Sequence, residues 1–217
     1  MTESTQTNTG LFLTLEGVDG AGKSTHVQWA KQYLTDRGIA VCLTREPGGT
    51  AIGERLRDLL LTEPMHLETE TLLMFAARNE HLRNVIEPAL AAGQWVVCDR
   101  FTDATFAYQG AGRALGRDRI NHLVQWVHPD FEPSRTWLFD VPLEVARQRL
   151  SDARVPDRFE REQADFFKRT REGYLQCVKA SPERFLTVDG TQPIERIREV
   201  LAADLDALLS RVSKGGG

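Results

Sequence analysis

Residues 11–25, LFLTLEGVDGAGKST, constrain this chain more than any other stretch. An apolar run, LFLTL, stops at residue 15, and residues 17–24 then fit the pattern G-x-x-x-x-G-K-[ST]. In that pattern a turn of backbone N–H groups wraps phosphate oxygens at the start of a helix. Gly17 and Gly22 allow close backbone approach and positive φ. Lys23 is placed to reach the β- and γ-phosphates, and Ser24 to hold Mg²⁺. Val18, Asp19, Gly20 and Ala21 complete the loop, and Thr25 follows in the helix. A glycine-rich turn with a surface lysine would fit the same letters. The apolar strand before the loop and the helical pattern after it favour phosphate binding. One residue raises a question. Asp19 places a carboxylate inside a cradle for anions, and VDGA (18–21) contains no basic side chain to offset it.

The rest of the chain supplies the context that loop requires. IAVCLT (39–44), WVVCD (95–99), RTWLFD (135–140) and RFLTVD (184–189) read as further strands. Between them lie segments with helical apolar spacing: residues 23–37 ending at Gly38, AIGERLRDLLL, ETETLLMFAARNEHLRNVIEPALAA ending at Gly93, and VPLEVARQRL. EREQADFFKRTREGYLQCVKA and PIERIREVLAADLDALLS follow the same spacing. Strand–helix alternation of this kind predicts an α/β fold, a parallel sheet covered on both faces. With 217 residues and no long linker or internal repeat, a single domain over 1–217 is expected. The polar starts and ends, about 1–10 and 213–217, read as disordered tails.

Composition narrows the function. A net charge of −4 gives no global field for nucleic acid or membrane, so an anionic ligand must be held by local clusters. No basic-then-apolar leader and no run of 18 apolar residues is present, and neither export nor a membrane span is expected. Cys42, Cys98 and Cys177 lie far apart, which suggests reduced thiols in a cytosol rather than a disulfide framework or zinc site. The five histidines form no metal-ligating pair. N-K-x-D, the guanine signature of switch GTPases, is absent, and the chain has no room for the extra domains of a motor ATPase. A small enzyme that phosphorylates a small acceptor fits best. Such an enzyme brings two polyanions in line and excludes water.

A second constellation, CDRF (98–101), ends the third strand, on the edge that faces the ligand crevice of an open α/β sheet. Asp99 is placed to act near the metal and Arg100 to clamp a phosphate bidentately. A strand-ending surface pair is the plainer reading, and the location favours function. Downstream, Thr105, Tyr108 and Gln109 lie three or four apart, on one helical face.

Together, LEGVDGAGKST, TREPGGT, LLMFAARNEHL, CDRFTDATFAYQGAGR and DRFEREQADFFKRTREGYL resemble the bacterial thymidylate kinases, in order and over nearly the whole chain. The phosphate loop alone is shared by many families; the combination is specific. The resemblance implies a P-loop NTPase-type five-stranded parallel sheet flanked by helices, with a short arginine-rich lid. It implies γ-phosphoryl transfer from ATP to dTMP, giving dTDP and ADP with Mg²⁺, in a cytoplasmic homodimer. In such kinases Asp19 would face the dTMP sugar and acceptor phosphate, not ATP. Glu16 is a weaker polar candidate beside it. Arg45 would contact the acceptor phosphate, and Glu46 would lie near the metal or its waters. Arg78 would donate to the base carbonyl O4. Phe75 is the expected stacking ring, with Met74 the alternative if Phe75 turns into the core. Thr105 would meet the base edge, Tyr108 would crowd the ribose 2′ position, and Gln109 would join the same subsite.

The missing charge is expected in the lid, as in family members that carry the arginine there. Residues 147–171 contain seven arginines, and SDARVPDRF (151–159), interrupted by Pro156, reads as the flap. Arg154 and Arg158 are the candidates to close on ATP, with Arg149 next. A solvated helical face paired with Asp152, Asp157 and Glu160 accounts equally for some of these arginines. Another nucleoside monophosphate or deoxynucleoside kinase would keep the loop and the Asp–Arg pair but lose the thymine set. A non-catalytic nucleotide-binding regulator is the alternative from another class, and intact Lys23, Asp99 and Arg100 argue against it.

Overall fold

Five apolar segments form the strands β1 (Phe12–Glu16), β2 (Val41–Arg45), β3 (Trp95–Asp99), β4 (Arg135–Asp140) and β5 (Phe185–Asp189). The computed structural model describes residues 10–151 and 164–215 of the chain. All strand pairs are parallel, and the order across the sheet is β2-β3-β1-β4-β5. β1 is central and buried at all five positions, which is why it reads as an unbroken FLTLE rather than an alternation. The sheet is the predicted P-loop-type core. Its strands lie within two residues of the segments expected from sequence.

Helices cover both faces. On one, Leu13, Leu15 and Val97 pack against Ala30 and Leu34 of α1 (Lys23–Thr35) and against Leu201 and Leu205 of α9 (Ile194–Gly215). On the other, Phe12, Val96 and Cys98 meet Leu82, Ile86 and Phe101. The period-two alternation of β1 and β3 thus divides their side chains between two cores. The other helices described are α2 (Ala51–Thr62), α3 (Leu67–His81), α4 (Glu87–Ala91), α5 (Thr102–Thr105), α6 (Arg117–Val127), α7 (Leu143–Ser151) and α8 (Ala164–Ala180). α9 runs to Gly215, into the stretch expected as a tail.

Two departures from regular helix matter. The single helix expected over 68–92 is α3 and α4 joined by a π-helical turn, Leu82–Ile86, in which the Glu87 N–H reaches the Leu82 carbonyl. Pro88 explains it, because proline has no N–H and its ring crowds the carbonyl four residues back, so the ladder shifts by one. A second π-helical turn, Phe106–Gly112, continues α5, and the Arg113 N–H bonds to the Tyr108 carbonyl at 2.8 Å. Thr105, Tyr108 and Gln109 still point one way, but from this wider turn. Cys42 and Cys98 pack in the second core as expected, and all three thiols are free. Among the described residues no helix is long and apolar enough to cross a membrane.

Candidate active site

Because every strand runs the same way, the C-terminal ends of β1, β2 and β3 converge, bringing Glu16, Arg45 and Asp99 to one edge. A cavity of about 520 Å³ opens there. It is lined by Asp19, Gly20, Gly22, Lys23 and Ser24 of the loop, and by Arg45, Glu46, Arg78, Asp99, Arg100, Thr105, Tyr108 and Gln109. Most residues singled out from sequence therefore meet in one place.

The loop turns its backbone outward. The Val18 and Ala21 side chains are buried in the core, so these two residues offer only main-chain atoms. Gly20 adopts φ 81°, and a Cβ there would lie 2.3 Å from the Ala146 carbonyl oxygen, so the α7 backbone closes the loop from behind. Lys23 donates from Nζ to the carbonyls of Gly17 (2.8 Å) and Val18 (3.1 Å). Burial, with the Arg100 charge, pushes its pKa down to about 8. Thr25 is exposed on the first turn of α1.

Asp19 is answered from β3. Arg100 Nη2 donates to its Oδ1 at 2.5 Å, and the Tyr108 hydroxyl donates to its Oδ2 at 2.8 Å. Burial works against the charge, yet Arg100 and Lys23 hold the Asp19 carboxyl below the usual range. The loop's acid is therefore neutralised by Arg100, which sits at φ 73°, in the left-handed region. Behind it, the Tyr174 hydroxyl accepts from Arg100 Nη1 at 2.9 Å and donates to Glu16 Oε2 at 2.9 Å. Burial and the Asp103 charge push the Glu16 carboxyl up to about 8. Glu16 takes no part in lining the cavity; its other oxygen accepts from the Phe101 N–H at 2.6 Å.

Arg78 crosses the floor of the other end. Its guanidinium lies between the rings of Phe75 (4.8 Å) and Phe101 (5.1 Å). Nε donates to Glu46 at 2.8 Å and Nη2 to Thr105 Oγ1 at 3.0 Å, while Nη1 is buried without a partner. A buried unpaired donor of this kind costs about 1–3 kcal/mol until something accepts from it. Glu46, expected near the metal or its waters, lines the cavity and is engaged there by two side chains of α3. Its two oxygens are taken by Arg78 Nε and by His81 Nδ1 (3.0 Å), so it orients Arg78. Against burial, the Arg78 and His81 interactions hold its carboxyl below the usual range. Phe75 is turned into the core, the second of the two arrangements open from sequence. Its ring stacks on His128 and packs with Leu115 and Ile120, whereas Met74 faces the cavity. Adjacent helical residues point about 100° apart, and the apolar neighbours of α6 claim the larger ring.

Gln109 Nε2 donates to the buried Glu70 Oε1 at 2.7 Å. Arg45 pairs with Glu54 at 2.8 Å, half exposed at the rim. Sequence reasoning did not single out Arg57, which lines the cavity and donates to the Pro47 carbonyl at 3.0 Å, or His81, which buttresses Glu46. An arginine on an amphipathic helix carries no local signal, and His81 becomes meaningful only once β2 and α3 are adjacent. Arg154 and Arg158 lie outside the described residues. Arg149 lines the cavity and donates to the Gly190 carbonyl at 2.9 Å.

The residues present fit a divalent cation. Asp99 Oδ1 is buried with no partner, and Ser24 lines the same wall. An oxygen acceptor and a hydroxyl beside a phosphate loop suit Mg²⁺, which takes few protein ligands and completes its shell with phosphate oxygens and water.

The comparisons agree with this geometry. The family model described as Thymidylate kinase matches residues 15–201. The thymidylate kinase of Bordetella petrii is 64% identical over 199 residues, covering 92% of this chain and 96% of the relative. That of Methylobacillus flagellatus is 58% identical over 190 residues, covering 88% and 94%. The crystal structure of thymidylate kinase from Ehrlichia chaffeensis superposes with a TM-score of 0.73 at 32% identity, covering 90% of this chain and 98% of that one. The phosphate loop, the Asp–Arg pair, the buried arginine of the cavity and these likenesses agree: the chain belongs to the thymidylate kinase family.

Proposed function

We propose that the protein transfers the γ-phosphoryl group of ATP to dTMP, giving dTDP and ADP. The observation that carries the acceptor's identity is Arg78 Nη1, a buried donor without a partner in the wall of the cavity. Thymine O4 would satisfy it. Cytosine presents an amino group there and would leave two donors facing each other. Thr105 and Gln109 stand beside Arg78 to meet the rest of the base edge, and Met74 supplies an apolar wall. Tyr108 and Asp19, joined by a hydrogen bond, suit the sugar: the phenol fills space beside the 2′ carbon and the carboxylate accepts from a 3′-hydroxyl.

The transfer itself asks for position and charge. The loop N–H groups and Lys23 take the donor phosphates, while Arg100 and Arg45 take the acceptor phosphate. Ser24 and Asp99 would hold Mg²⁺, directly or through water, and the ion would supply positive charge to offset that of the transferring phosphoryl group. Arg154 and Arg158 close over the γ-phosphoryl group and exclude water. Arg100 neutralises Asp19 and faces the acceptor, which answers why a phosphate loop tolerates that acid. The protein acts as one kinase domain in the cytoplasm and pairs with a second copy. Support for the pairing is the exposed apolar side chains of Ile52 and Leu59 on α2 and Leu72 on α3.

A coupled ADP-release assay across dTMP, dUMP, dCMP, UMP and AMP tests this reading. Preferred turnover of dTMP is expected. Equal turnover of dTMP and dCMP overturns it.

A further inference from the structure

Tyr174 and Glu16 are buried, polar and outside the cavity wall, yet both are tied to a residue that lines it. The chain of bonds is continuous. Glu16 Oε2 accepts from the Tyr174 hydroxyl at 2.9 Å, that oxygen accepts from Arg100 Nη1 at 2.9 Å, and Arg100 Nη2 reaches Asp19 at 2.5 Å. We propose that Tyr174, anchored by Glu16, is a positioning residue that sets the guanidinium of Arg100 for the acceptor phosphate. Through it, α8 is coupled to that phosphate site. The inference rests on the reading of Arg100 as the acceptor-phosphate clamp.

Three features carry it. First, Glu16 is saturated within the network, since its second oxygen accepts from the Phe101 N–H, so it is an anchor and cannot serve substrate. Second, Arg100 is held from two sides, by Tyr174 at Nη1 and by Asp19 and Tyr108 at Nη2, which fixes the plane of a fork that must meet a phosphate squarely. Third, the approach of α8 depends on the residue before Tyr174. A Cβ on Gly173 would lie 2.8 Å from Ala107 Cα, so only glycine lets α8 press close enough to the Phe106–Gly112 turn for the Tyr174 hydroxyl to arrive. A shift of α8 is therefore felt at Arg100.

The test separates positioning from bulk stability by using an acceptor with and without its phosphate. Calorimetric affinities of dTMP and thymidine are measured for wild type, Tyr174→Phe and Glu16→Gln, with Tm for each. Tyr174→Phe keeps the ring and loses one hydrogen bond, so dTMP affinity falls by about three- to twelvefold while thymidine affinity stays within about twofold. Glu16→Gln keeps the volume but replaces one carboxylate oxygen by a donor, so above pH 8, where the wild-type carboxyl is ionised, it shifts the dTMP-to-thymidine ratio in the same direction. In an Arg100→Lys background, Tyr174→Phe has no further effect on dTMP, because the group it positions is gone. Equal weakening of both ligands, no weakening of either, or additive effects in the Arg100→Lys background each overturn the proposal. Failure of the functional reading is seen separately, as wild-type protein that does not prefer dTMP in turnover.

Discussion

Arg78 joins stability to recognition, and the two can be separated by experiment. Arg78 and Glu46 form a buried pair, with side chains 3% and 4% exposed. Arg78→Met leaves the Glu46 carboxylate in the interior with His81 as its remaining partner. Breaking a buried pair from one side costs about 3–5 kcal/mol of stability, a large share of the roughly 5–15 kcal/mol that a domain has. The double variant Glu46→Gln/Arg78→Met removes both charges and recovers most of that loss. Neither variant can donate from position 78 to a base carbonyl. A hydrogen bond from a charged donor is worth about 1.5–3 kcal/mol, so the kcat/KM ratio of dTMP over dCMP falls about ten- to a hundredfold in both. Thermal denaturation and the coupled assay on the two acceptors read the two effects independently. A double variant that regains stability and keeps the wild-type ratio would refute the assignment of Arg78 to the base. A double variant as unstable as Arg78→Met would refute the account of the buried pair.

Four further outcomes are expected. Lys23→Ala leaves the protein folded and lowers kcat by about a hundredfold or more, because a charge on the transferring group is lost; circular dichroism and single-turnover transfer check both halves. Arg154→Ala combined with Arg158→Ala lowers kcat by about a thousandfold while the KM for dTMP changes little, and wild-type turnover would move the missing charge to Arg149. Met74→Ala raises the KM for dTMP with little loss of stability, whereas Phe75→Ala costs about 3–5 kcal/mol in chemical denaturation. Glu16 has a folded pKa near 8, above its ordinary 4.5, so its contribution to stability is full below about pH 4.5 and is lost as pH rises through 8. Glu16→Gln has nothing to titrate. Its Tm therefore gains on that of wild type between pH 6 and pH 8.5, and parallel curves would exclude the burial argument.

Sequence pattern located the strands to within a residue or two because a parallel sheet buries both faces and leaves short apolar runs between loops. The meeting of Lys23, Ser24 and Asp99 in one cavity was legible because each has a fixed place, in the loop and helix start after β1 or at the end of β3. Other assignments needed the third dimension. Met74 and Phe75 are neighbours on one helix, and only the apolar surface of α6 decides which one turns inward. The tie of Glu46 to Arg78 and His81 left no trace in the sequence, because both stand more than thirty residues away on α3. Arg57 carried no signal, since a basic residue on an amphipathic helix is ordinary until the helix is seen to border a phosphate site.

The backbone at Arg100 has a consequence for how this position can vary. A side chain held at φ 73° costs about 1–2 kcal/mol that glycine would not incur. Judged on main-chain energy alone, glycine is the better residue at 100. Only the guanidinium, fanned between Tyr174 and Asp19, holds arginine there. Position 100 is thus a place where main-chain preference and side-chain pairing pull in opposite directions, since glycine would relax the turn but leave the Asp19 carboxylate without its cation. Engineering that scores backbone preference alone will choose glycine here and break the network that joins β1, β3 and α8.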